Sequence, residues 1–556
     1  MKWLERFVYS VNGSRKKRLM VILLTLIALV GAIMMLPTEL VKARMLPGKS
    51  ADTFSVYVDA PSGSSIEQTH EITDCVVDIL SREKAVINTE VFLGMGAPLD
   101  YAGLVKGSTL KQGENVAEIV VNLTDKHHRK EPSFMMVHRL RPVIKKRCET
   151  LLPQTSIKMI EQPAGPPTMA SIVVEVYGEN YKLIQNMATR VKDILTRTPT
   201  LVDVDVMEDE LYTKYELIAD SEKVARSGVS LKQLNQILYL AFEGMAVAVK
   251  NSQHSPDQIP LFVILDKSRY LDDHSREALE AKLSSLRLMN QKGMMVPVNE
   301  LVKIVEVNNA PTIFSKDLKK MINVLAETDM ESQVYPLLDA RDMMIKEFSK
   351  DFNVTEEPGM STYMFDLHLT DKKTGARYLL RWDGEMKVTL DTFRDLGGAF
   401  IAALVLIFLL LVIYYKSFAI SGIILGGSFL SIIGVIIGHW VADLVTRDTF
   451  FLTATSLIGF IALMGISSRN SLLLIDFTKS LMADKGMPKR EAIAVATATR
   501  AKPIMLTAVA IILGSALLAT DPIFGGLGVA LISGTVAAVV VSLLFVPVLM
   551  FNTKAL

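Results

Sequence analysis

Apolar residues follow two different patterns along this chain of 556 residues. In the first, an apolar run lasts about 20 residues, enough for a helix to cross the roughly 30 Å of hydrocarbon in a bilayer. In the second, between residues 37 and 396, short alternating runs are interleaved with runs of helical spacing. The first pattern predicts membrane spans, and the second predicts a large soluble domain of strands and helices.

The membrane pattern occurs in six places: Leu19–Leu36, Gly397–Tyr415, Ile420–Val441, Phe450–Ile475, Pro503–Thr520 and Leu527–Phe551. The first run follows Arg15-Lys16-Lys17-Arg18, a basic flank that cleavable signal peptides share. It is long for such a peptide and is not followed by small residues at cleavage spacing, which favours a membrane anchor.

Positive charge marks the cytoplasmic connections of a membrane protein. The basic first flank therefore places residues 1–18, an amphipathic segment, in the cytoplasm and residues 37–396 in the periplasm. The loop 477–502 carries six Lys and Arg residues and is predicted inside, whereas the loops at 442–449 and 521–526 carry acids and are predicted outside. The pattern thus predicts a multi-pass protein of the bacterial inner membrane. Its parts are span 1 at 19–36, the periplasmic domain, spans 2–6 within 397–551 and a cytoplasmic tail at 552–556.

The soluble domain repeats a pattern of strand, helix and strand. Thr53–Val58 alternates as a strand and Gly63–Arg82 has helical spacing, and the same order returns at Ser171–Tyr177, Asn180–Arg197 and Leu201–Met207. Repeated units of this kind predict at least two ferredoxin-like or split-βαβ subdomains. The expected fold is therefore an α-helical bundle of six spans with a large α+β domain.

Composition removes several classes of function. The chain has 60 Lys and Arg against 59 Asp and Glu, so no basic field exists to bind nucleic acid. Phosphate loops, GxSxG elbows and HExxH helices are missing from the sequence, so we predict neither an enzyme nor a cofactor.

Cys75 and Cys148 fall on two predicted helices of the first unit. An oxidising periplasm could couple them, but two separately buried thiols are the preferred interpretation.

Metal binding has two candidate features and a simpler explanation for each. His127-His128 lies in a basic run that is typical of a solvated turn, because a metal would need carboxylate or thiol ligands nearby. Thioethers bind Cu(I) or Ag(I), and the 28 methionines include three adjacent pairs: Met135-Met136, Met294-Met295 and Met343-Met344. Flexible apolar filling accounts for them equally, so no metal site is predicted.

The fourth span carries a charge within the membrane. Arg469 lies in the segment GISSRNSLLLID (465–476), and helical spacing places Leu473 and Asp476 on its face. An intramembrane charge usually faces the bundle interior and an acid; the alternative is that Arg469 snorkels to the interface and pairs with Asp476 or lipid. On the fifth span, Thr507 follows Arg500 by two turns and can take part in a relay or bond to its own backbone. No span has a carboxylate at its centre.

Five motifs in this order resemble the second half of inner-membrane permeases of the resistance–nodulation–division (RND) superfamily, of the hydrophobe/amphiphile efflux type. They are MLPGKSADTFSVYVDAPSGSS (45–65), ARSGVSLKQLNQIL (225–238), YYKSF (414–418), GISSRNSLLLIDF (465–477) and RAKPIMLTAVAIILGS (500–515). The resemblance covers nearly all of the chain and implies a trimeric, proton-driven antiporter. Such a pump works with a periplasmic adaptor and an outer-membrane channel, and residues 240–297 resemble the family's docking insertion.

The resemblance also implies a proton relay. Arg469 stands where the family usually has lysine, Asn470 is its usual neighbour, and Arg500 and Thr507 match in the fifth span. The aspartates that take up the proton belong to the family's first half and have no counterpart here. We therefore expect a half-size subunit that pairs with a second half-size RND subunit carrying an intramembrane Asp. The alternatives are a non-transporting scaffold or regulatory subunit, in which energy coupling would use Asp476 or be absent, and an exporter of Cu or Ag.

Overall fold

The structure is a computed structural model that describes residues 2–48, 50–98, 101–162, 165, 167–253, 258–265, 275–357, 363–446 and 450–556. Its helices are α1 (Lys2–Gly13), α2 (Arg15–Met34), α3 (Ile66–Leu80), α4 (Tyr101–Lys106), α5 (Ser133–Cys148), α6 (Tyr181–Arg197), α7 (Ser221–Ser227), α8 (Leu231–Phe242), α9 (Arg276–Ser285), α10 (Val334–Phe348), α11 (Glu385–Tyr415), α12 (Phe418–Phe429), α13 (Ile432–Thr446), α14 (Ala454–Lys485), α15 (Lys489–Ala516), α16 (Gly525–Val540) and α17 (Val546–Asn552). Its strands are β1 (Thr53–Asp59), β2 (Val86–Met95), β3 (Gln112–Leu123), β4 (Ser156–Glu161), β5 (Ile172–Gly178), β6 (Leu201–Met207), β7 (Thr213–Ala219), β8 (Met245–Lys250), β9 (Ile259–Val263), β10 (Arg287–Met289), β11 (Met295–Pro297), β12 (Val302–Asn308), β13 (Ser315–Lys316), β14 (Lys319–Thr328), β15 (Phe352–Glu356), β16 (Leu367–Asp371) and β17 (Arg377–Asp383).

Six helical segments are long and apolar enough to cross a membrane, in the order that the sequence predicts: Arg15–Met34, Glu385–Tyr415, Phe418–Thr446, Ala454–Lys485, Lys489–Thr520 and Gly525–Asn552. The second begins twelve residues before its apolar run. The predicted loop 477–502 is almost entirely helical, since α14 continues to Lys485 and α15 begins at Lys489. A run of apolar residues marks only the part of a helix that lipid would surround. The polar ends of these helices were therefore not predicted.

Close contacts between small residues hold several of these helices together. A Cβ built on Gly434 of α13 would lie 2.4 Å from Cβ of Ala537 and 2.5 Å from the Ser533 carbonyl oxygen. Gly534 of α16 likewise faces Leu463 of α14 at 2.2 Å. Glycine thus permits close approach at Gly434 and Gly534, whereas Gly514 faces open space.

The first soluble sheet has the order β2-β3-β1-β4 and is antiparallel throughout. With α3 between β1 and β2 and α5 between β3 and β4, it is a βαββαβ unit of ferredoxin-like topology. Alternation explains why β1 is a strand, because Phe54, Val56 and Val58 enter the core. The sequence missed β2, whose residues are mostly exposed or half-buried and do not alternate clearly.

Cys75 on α3 and Cys148 on α5 form a disulfide, with their Cα atoms 5.8 Å apart. The preferred interpretation of two separate thiols was therefore wrong. Both helices cover the same face of the first sheet, which brings the two cysteines together. Sequence spacing alone could not show this, because the two residues are 73 positions apart.

The second soluble sheet contains the same unit again. β6, β14, β5 and β17 are adjacent in that order, with α6 after β5 and α10 after β14, and β16 and β15 extend the edge. This is the second predicted ferredoxin-like unit. Asn180 caps α6 by accepting a hydrogen bond from the Lys182 N–H. Helix α10 begins at Val334, which places Pro336 at its third position, within the first turn.

Charged side chains between these two units are paired. Lys106 Nζ donates to Glu327 Oε1 at 2.7 Å, and Ser171 donates its backbone N–H to the other oxygen of Glu327. Burial alone would raise the pKa of Glu327, but Lys106 and Ser171 hold it below its usual value. Lys158 similarly lies between Asp59 and Asp205.

Residues 62–65 and 208–312 form a separate compact unit, built on the β7–β12 ladder with α7, α8 and α9. Ser230 and Gln233 form a capping box at the start of α8, which the ARSGVSLKQLNQIL motif encodes. The β8–β9 hairpin is exposed along both strands. The expected docking insertion at 240–297 falls in this unit, and its residues 254–257 and 266–274 lie outside the described residues.

Candidate proton-relay site

Helix α14 carries the central candidate residues, and its start is fixed by a capping box. The Thr453 side chain accepts from the Ser456 N–H, and the Ser456 side chain accepts from the Thr453 N–H. From there α14 packs against α12, α15 and α16. One stripe of the helix stays exposed along most of its length: Ile458, Ala462, Gly465, Arg469 and Leu473.

Arg469 lies near the middle of α14 and is exposed, whereas its neighbour Asn470 is buried at 5 % exposure. Within the described residues the guanidinium of Arg469 has neither a hydrogen bond nor an ion pair. Apolar or small residues flank it one turn away on either side, at Gly465 and Leu473. The structure therefore places the charge on an open face of the bundle, not in the bundle interior.

Asp476 is engaged elsewhere. The Tyr415 hydroxyl at the end of α11 donates to Asp476 Oδ1 at 2.6 Å. The ammonium of Lys479 lies 5.0 Å from the centre of the same tyrosine ring. No ion pair joins Arg469 to Asp476 in the part of the chain that the structure describes. The pairing with Asp476 that was considered for a snorkelling Arg469 is therefore not formed.

Arg500 and Thr507 lie on α15 and point to different surroundings. The Arg500 guanidinium stacks over the Phe477 ring at 4.7 Å. The Thr507 hydroxyl is exposed and donates to the carbonyl oxygens of Ile504 at 2.9 Å and Pro503 at 3.2 Å. Of the two roles considered for Thr507, the structure shows the bond to its own helix. The five predicted residues therefore share two adjacent helices without forming a closed relay.

The interior of the bundle holds polar groups that sequence reasoning missed. His439 of α13 is fully buried, with Nε2 at 2.8 Å from the Ser456 hydroxyl and Nδ1 at 2.8 Å from the Val435 carbonyl oxygen. In the sequence, this buried polar group is indicated only by a single histidine within the apolar run GVIIGHWVADL (434–444). A second group consists of buried hydroxyls without a hydrogen-bond partner among the described residues, at Ser467, Ser471, Thr535 and Ser542.

The features considered for metal binding are dispersed. His127 and His128 lie in an exposed turn, as predicted. Met136 and Met344 fill two different cores, and Met294 and Met295 are exposed. Among the described residues no group of three His, Cys, Asp or Glu side chains could hold a metal ion.

Comparison with known proteins decides the family. A family model described as the AcrB/AcrD/AcrF family matches residues 2–553. The chain belongs to this family. The resemblance to RND permeases read from the five motifs is thereby confirmed, and proteins of this AcrB/AcrD/AcrF family are multi-pass membrane proteins, in agreement with the six apolar helices.

Individual relatives of this AcrB/AcrD/AcrF-family chain are distant. It is 23 % identical over 549 residues to the swarming motility protein SwrC of Bacillus subtilis (strain 168), covering 95 % of this chain and 45 % of SwrC. It is 22 % identical over 551 residues to the multidrug export protein AcrF of Escherichia coli (strain K12), covering 97 % of this chain and 48 % of AcrF. The chain thus spans about half the length of these relatives.

Solved structures support the same fold. The crystal structure of a heavy metal efflux pump superposes with a TM-score of 0.71 at 18 % identity, covering 98 % of this chain and 52 % of that chain. A second crystal form of a heavy metal efflux pump also gives 0.71, at 17 % identity, with 99 % of this chain and 51 % of that chain covered. At such low identity the agreement concerns the fold.

Proposed function

We propose that this chain is a half-size subunit of an RND-type, proton-driven efflux transporter. In this proposal it exports hydrophobic or amphiphilic compounds from the periplasm or the inner membrane. Its exposed α14 stripe is covered by a second RND half that carries an intramembrane carboxylate. The observation that supports this most is the position of Arg469, exposed near the middle of an apolar helix.

The energy of that charge depends on its surroundings. An arginine at the centre of a span costs about 2.5–3.5 kcal/mol on insertion scales, so charges within spans normally meet an acid or a hydrated cavity. Arg469 lies between the centre and the cytoplasmic end of the predicted span Phe450–Ile475 and bears part of this cost. Ala462 and Gly465 on the same stripe are small and would let a second helix approach closely. A partner helix with a carboxylate would therefore satisfy both the charge and the shape of this surface.

The expected mechanism follows from the fixed charge of arginine. Next to Arg469, a carboxylate is stabilised in its ionised form, and binding of a proton removes that attraction. Because arginine side chains in general do not release their proton, the carboxylate of the partner is the group that binds and releases the transported proton. As the ion pair between Arg469 and this carboxylate forms and breaks in turn, α14 would move relative to the partner helix. Asn470, Arg500 and Thr507 would orient the pair, and Asp476 would stay with Tyr415.

The assembly proposed around this pair is that of the family. A trimer-like arrangement would pass substrate to a periplasmic adaptor and an outer-membrane channel. The exposed β8–β9 hairpin belongs to the unit proposed for docking.

The test is dye accumulation in a deletion strain that expresses variants together with the partner half. We expect Arg469→Met to reduce energy-dependent efflux by about 5- to 150-fold, the range that corresponds to 1–3 kcal/mol of coupling. Arg469→Lys should retain part of the activity, because the positive charge stays. Lys502→Met is the matched control, since Lys502 is an exposed cation on the neighbouring helix α15. Full efflux in Arg469→Met would refute the relay role.

The same assay separates transport from a scaffold function. A scaffold subunit would change dye accumulation only through the amount of assembled complex, and a proton uncoupler would have no additional effect. A transporter half would give efflux that the uncoupler abolishes in wild type and leaves unchanged in Arg469→Met. Normal complex assembly with lost efflux in that variant would contradict the scaffold hypothesis.

A second candidate function is heavy-metal efflux. Two thioether sulfurs flank one side chain in the second ferredoxin-like unit, because Asn323 Nδ2 lies 3.9 Å from Met169 Sδ and 3.8 Å from Met207 Sδ. Soft cations such as Cu(I) and Ag(I) bind thioethers. If the pump exports them, replacing Met169 and Met207 by Leu should lower Ag(I) tolerance while dye efflux stays intact. Met294→Leu, on an exposed methionine, is the control.

A further inference from the structure

The amphipathic helix α1 presents three distinct faces. Val8, Val11 and Asn12 are buried against the bundle, where α1 packs on α15 and α17. Beside this face, Trp3 and Phe7 are exposed and stacked with ring centres 5.6 Å apart. Lys2 and Arg6 lie on the next side. An order of buried, aromatic and basic faces is typical of a helix that lies in the membrane interface.

Asn12 is the unusual member of the buried face. It is completely buried, and neither its amide nitrogen nor its amide oxygen has a hydrogen-bond partner among the described residues. Leaving such a group unsatisfied costs about 1–3 kcal/mol. The amide lines a narrow cleft whose other walls are apolar: Phe7, Val8, Val11, Val21, Leu544 and Val548. A molecule that fits this cleft should therefore have both apolar and hydrogen-bonding parts.

Four successive basic residues, at positions 15–18, follow Asn12 closely in the sequence. Arg15, Lys16 and Lys17 are exposed at the start of α2, and Lys17 donates to the Ser10 hydroxyl at 2.6 Å. Arg18 Nη1 donates to the Asn12 carbonyl oxygen at 2.5 Å, which ties the basic segment to the cleft. Apolar walls, a buried amide and a basic rim are complementary to one class of molecule, an anionic phospholipid.

We propose that α1, the start of α2 and α17 form a binding site for an anionic phospholipid, with Asn12 as its buried hydrogen-bonding residue. The phosphate lies at Arg15 and Lys16, the glycerol and ester oxygens approach the Asn12 amide, and part of an acyl chain occupies the apolar cleft. Basic pockets at the cytoplasmic ends of spans bind such headgroups, and each cation near an anionic surface contributes about 1 kcal/mol. The site is independent of the proposed relay, since Arg469 takes no part in it.

The experiment measures lipid binding to the purified full-length protein by native mass spectrometry in mixed micelles. The probes are dioleoylphosphatidylglycerol, which is anionic, and dioleoylphosphatidylcholine, which is zwitterionic with the same chains. We expect tighter binding of phosphatidylglycerol to wild type, by about fivefold for each participating cation. Arg15→Gln and Lys16→Gln together should remove most of this preference.

Asn12→Leu separates binding from folding. The substitution keeps a similar volume and removes a buried amide, so the protein should fold with equal or greater thermal stability in detergent alone. It should nevertheless lose several-fold affinity for phosphatidylglycerol and the thermal stabilisation that this lipid gives to wild type. Lys485→Gln removes an exposed cation from the end of α14 and should leave the preference unchanged.

Two results would overturn the proposal. One is equal binding of both lipids to wild type, which would mean that the basic residues do not select an anionic headgroup. The other is an unchanged preference for phosphatidylglycerol in Asn12→Leu and in the Arg15/Lys16 double variant, which would mean general attraction to the surface.

Discussion

The two ferredoxin-like units and the membrane bundle treat charge in opposite ways. Between the soluble units, Lys106 faces Glu327 and Lys158 lies between two aspartates, so each cation has its acid within the same chain. On α14, Arg469 has no acid among the described residues. The soluble charges thus stabilise this chain itself, whereas in the proposed pump the charge of Arg469 is paired by a second chain.

The hydroxyl groups of the bundle fit the same contrast. Ser428 and Ser468 satisfy each other at 3.0 Å between α12 and α14. Ser467, directly before Ser468 in the chain, and Ser471, one turn further along α14, have hydroxyls without partners among the described residues. The described part of the bundle therefore holds both paired and unpaired buried hydroxyl groups.

The largest effect is expected from breaking a soluble pair. Lys106→Met leaves Glu327, whose side chain is only 20 % exposed, without its cation. Because an uncompensated charge is then buried, the free energy of unfolding should fall by about 3 kcal/mol. Thermal unfolding of the purified protein measures this. Arg226→Met, which breaks an exposed pair with Glu222, should cost less than about 1 kcal/mol; equal losses in both variants would refute the assigned role of the Lys106 pair.

The next effect is a pH dependence in the soluble part. Burial raises the pKa of Glu161 to about 7. Arg141 and Arg44 oppose this rise, and the nearby carboxylates of Asp329 and Glu327 add to it. The folded state therefore holds this proton more tightly than the unfolded state, and stability falls as pH rises from about 4 to about 7. Glu161→Gln should be more stable than wild type by about 2–3 kcal/mol at pH 8 and nearly equal at pH 4.

Melting curves across this pH range check the prediction, with the exposed Glu179→Gln as control. A difference between Glu161→Gln and wild type that does not vary with pH would contradict the raised pKa.

A third effect probes the packing of the bundle. Gly434→Ala places a methyl group against Ala537 and a backbone carbonyl, so we expect a loss of about 2 kcal/mol in stability. Gly422→Ala, on α12 with no atom within 4 Å of the new Cβ, should instead be neutral or stabilising by up to about 1 kcal/mol. Thermal shift in detergent measures both; the same sign for the two variants would show that α13 and α16 are not in this contact.

The smallest expected change in unfolding free energy tests most directly whether Arg469, unlike Lys106, has no partner within the chain. Arg469→Met in the chain purified alone should change the free energy of unfolding by less than about 0.5 kcal/mol, because no contact is lost. The partner-bound assembly should be destabilised by the same substitution. A loss as large as that of Lys106→Met in the isolated chain would reveal an internal partner for Arg469.

The sequence predicted the six spans and both soluble units because apolar periodicity carries that information. Strand β6 was predicted at its observed bounds, Leu201–Met207. The surroundings of the candidate residues were not predicted. That Tyr415 engages Asp476 and that Arg469 is exposed depends on how α11, α14 and α15 rotate against each other, which no local pattern encodes. The Cys75–Cys148 disulfide depends on tertiary packing in the same way.

The most direct measurement is native mass spectrometry of the tagged complex, purified in mild detergent from its own cells. The account predicts a second RND half in equal amount, with a carboxylate in the span that meets α14, and its loss or weakening in Arg469→Met. Assemblies of this chain alone, unchanged by that substitution, would contradict the account and favour the scaffold function.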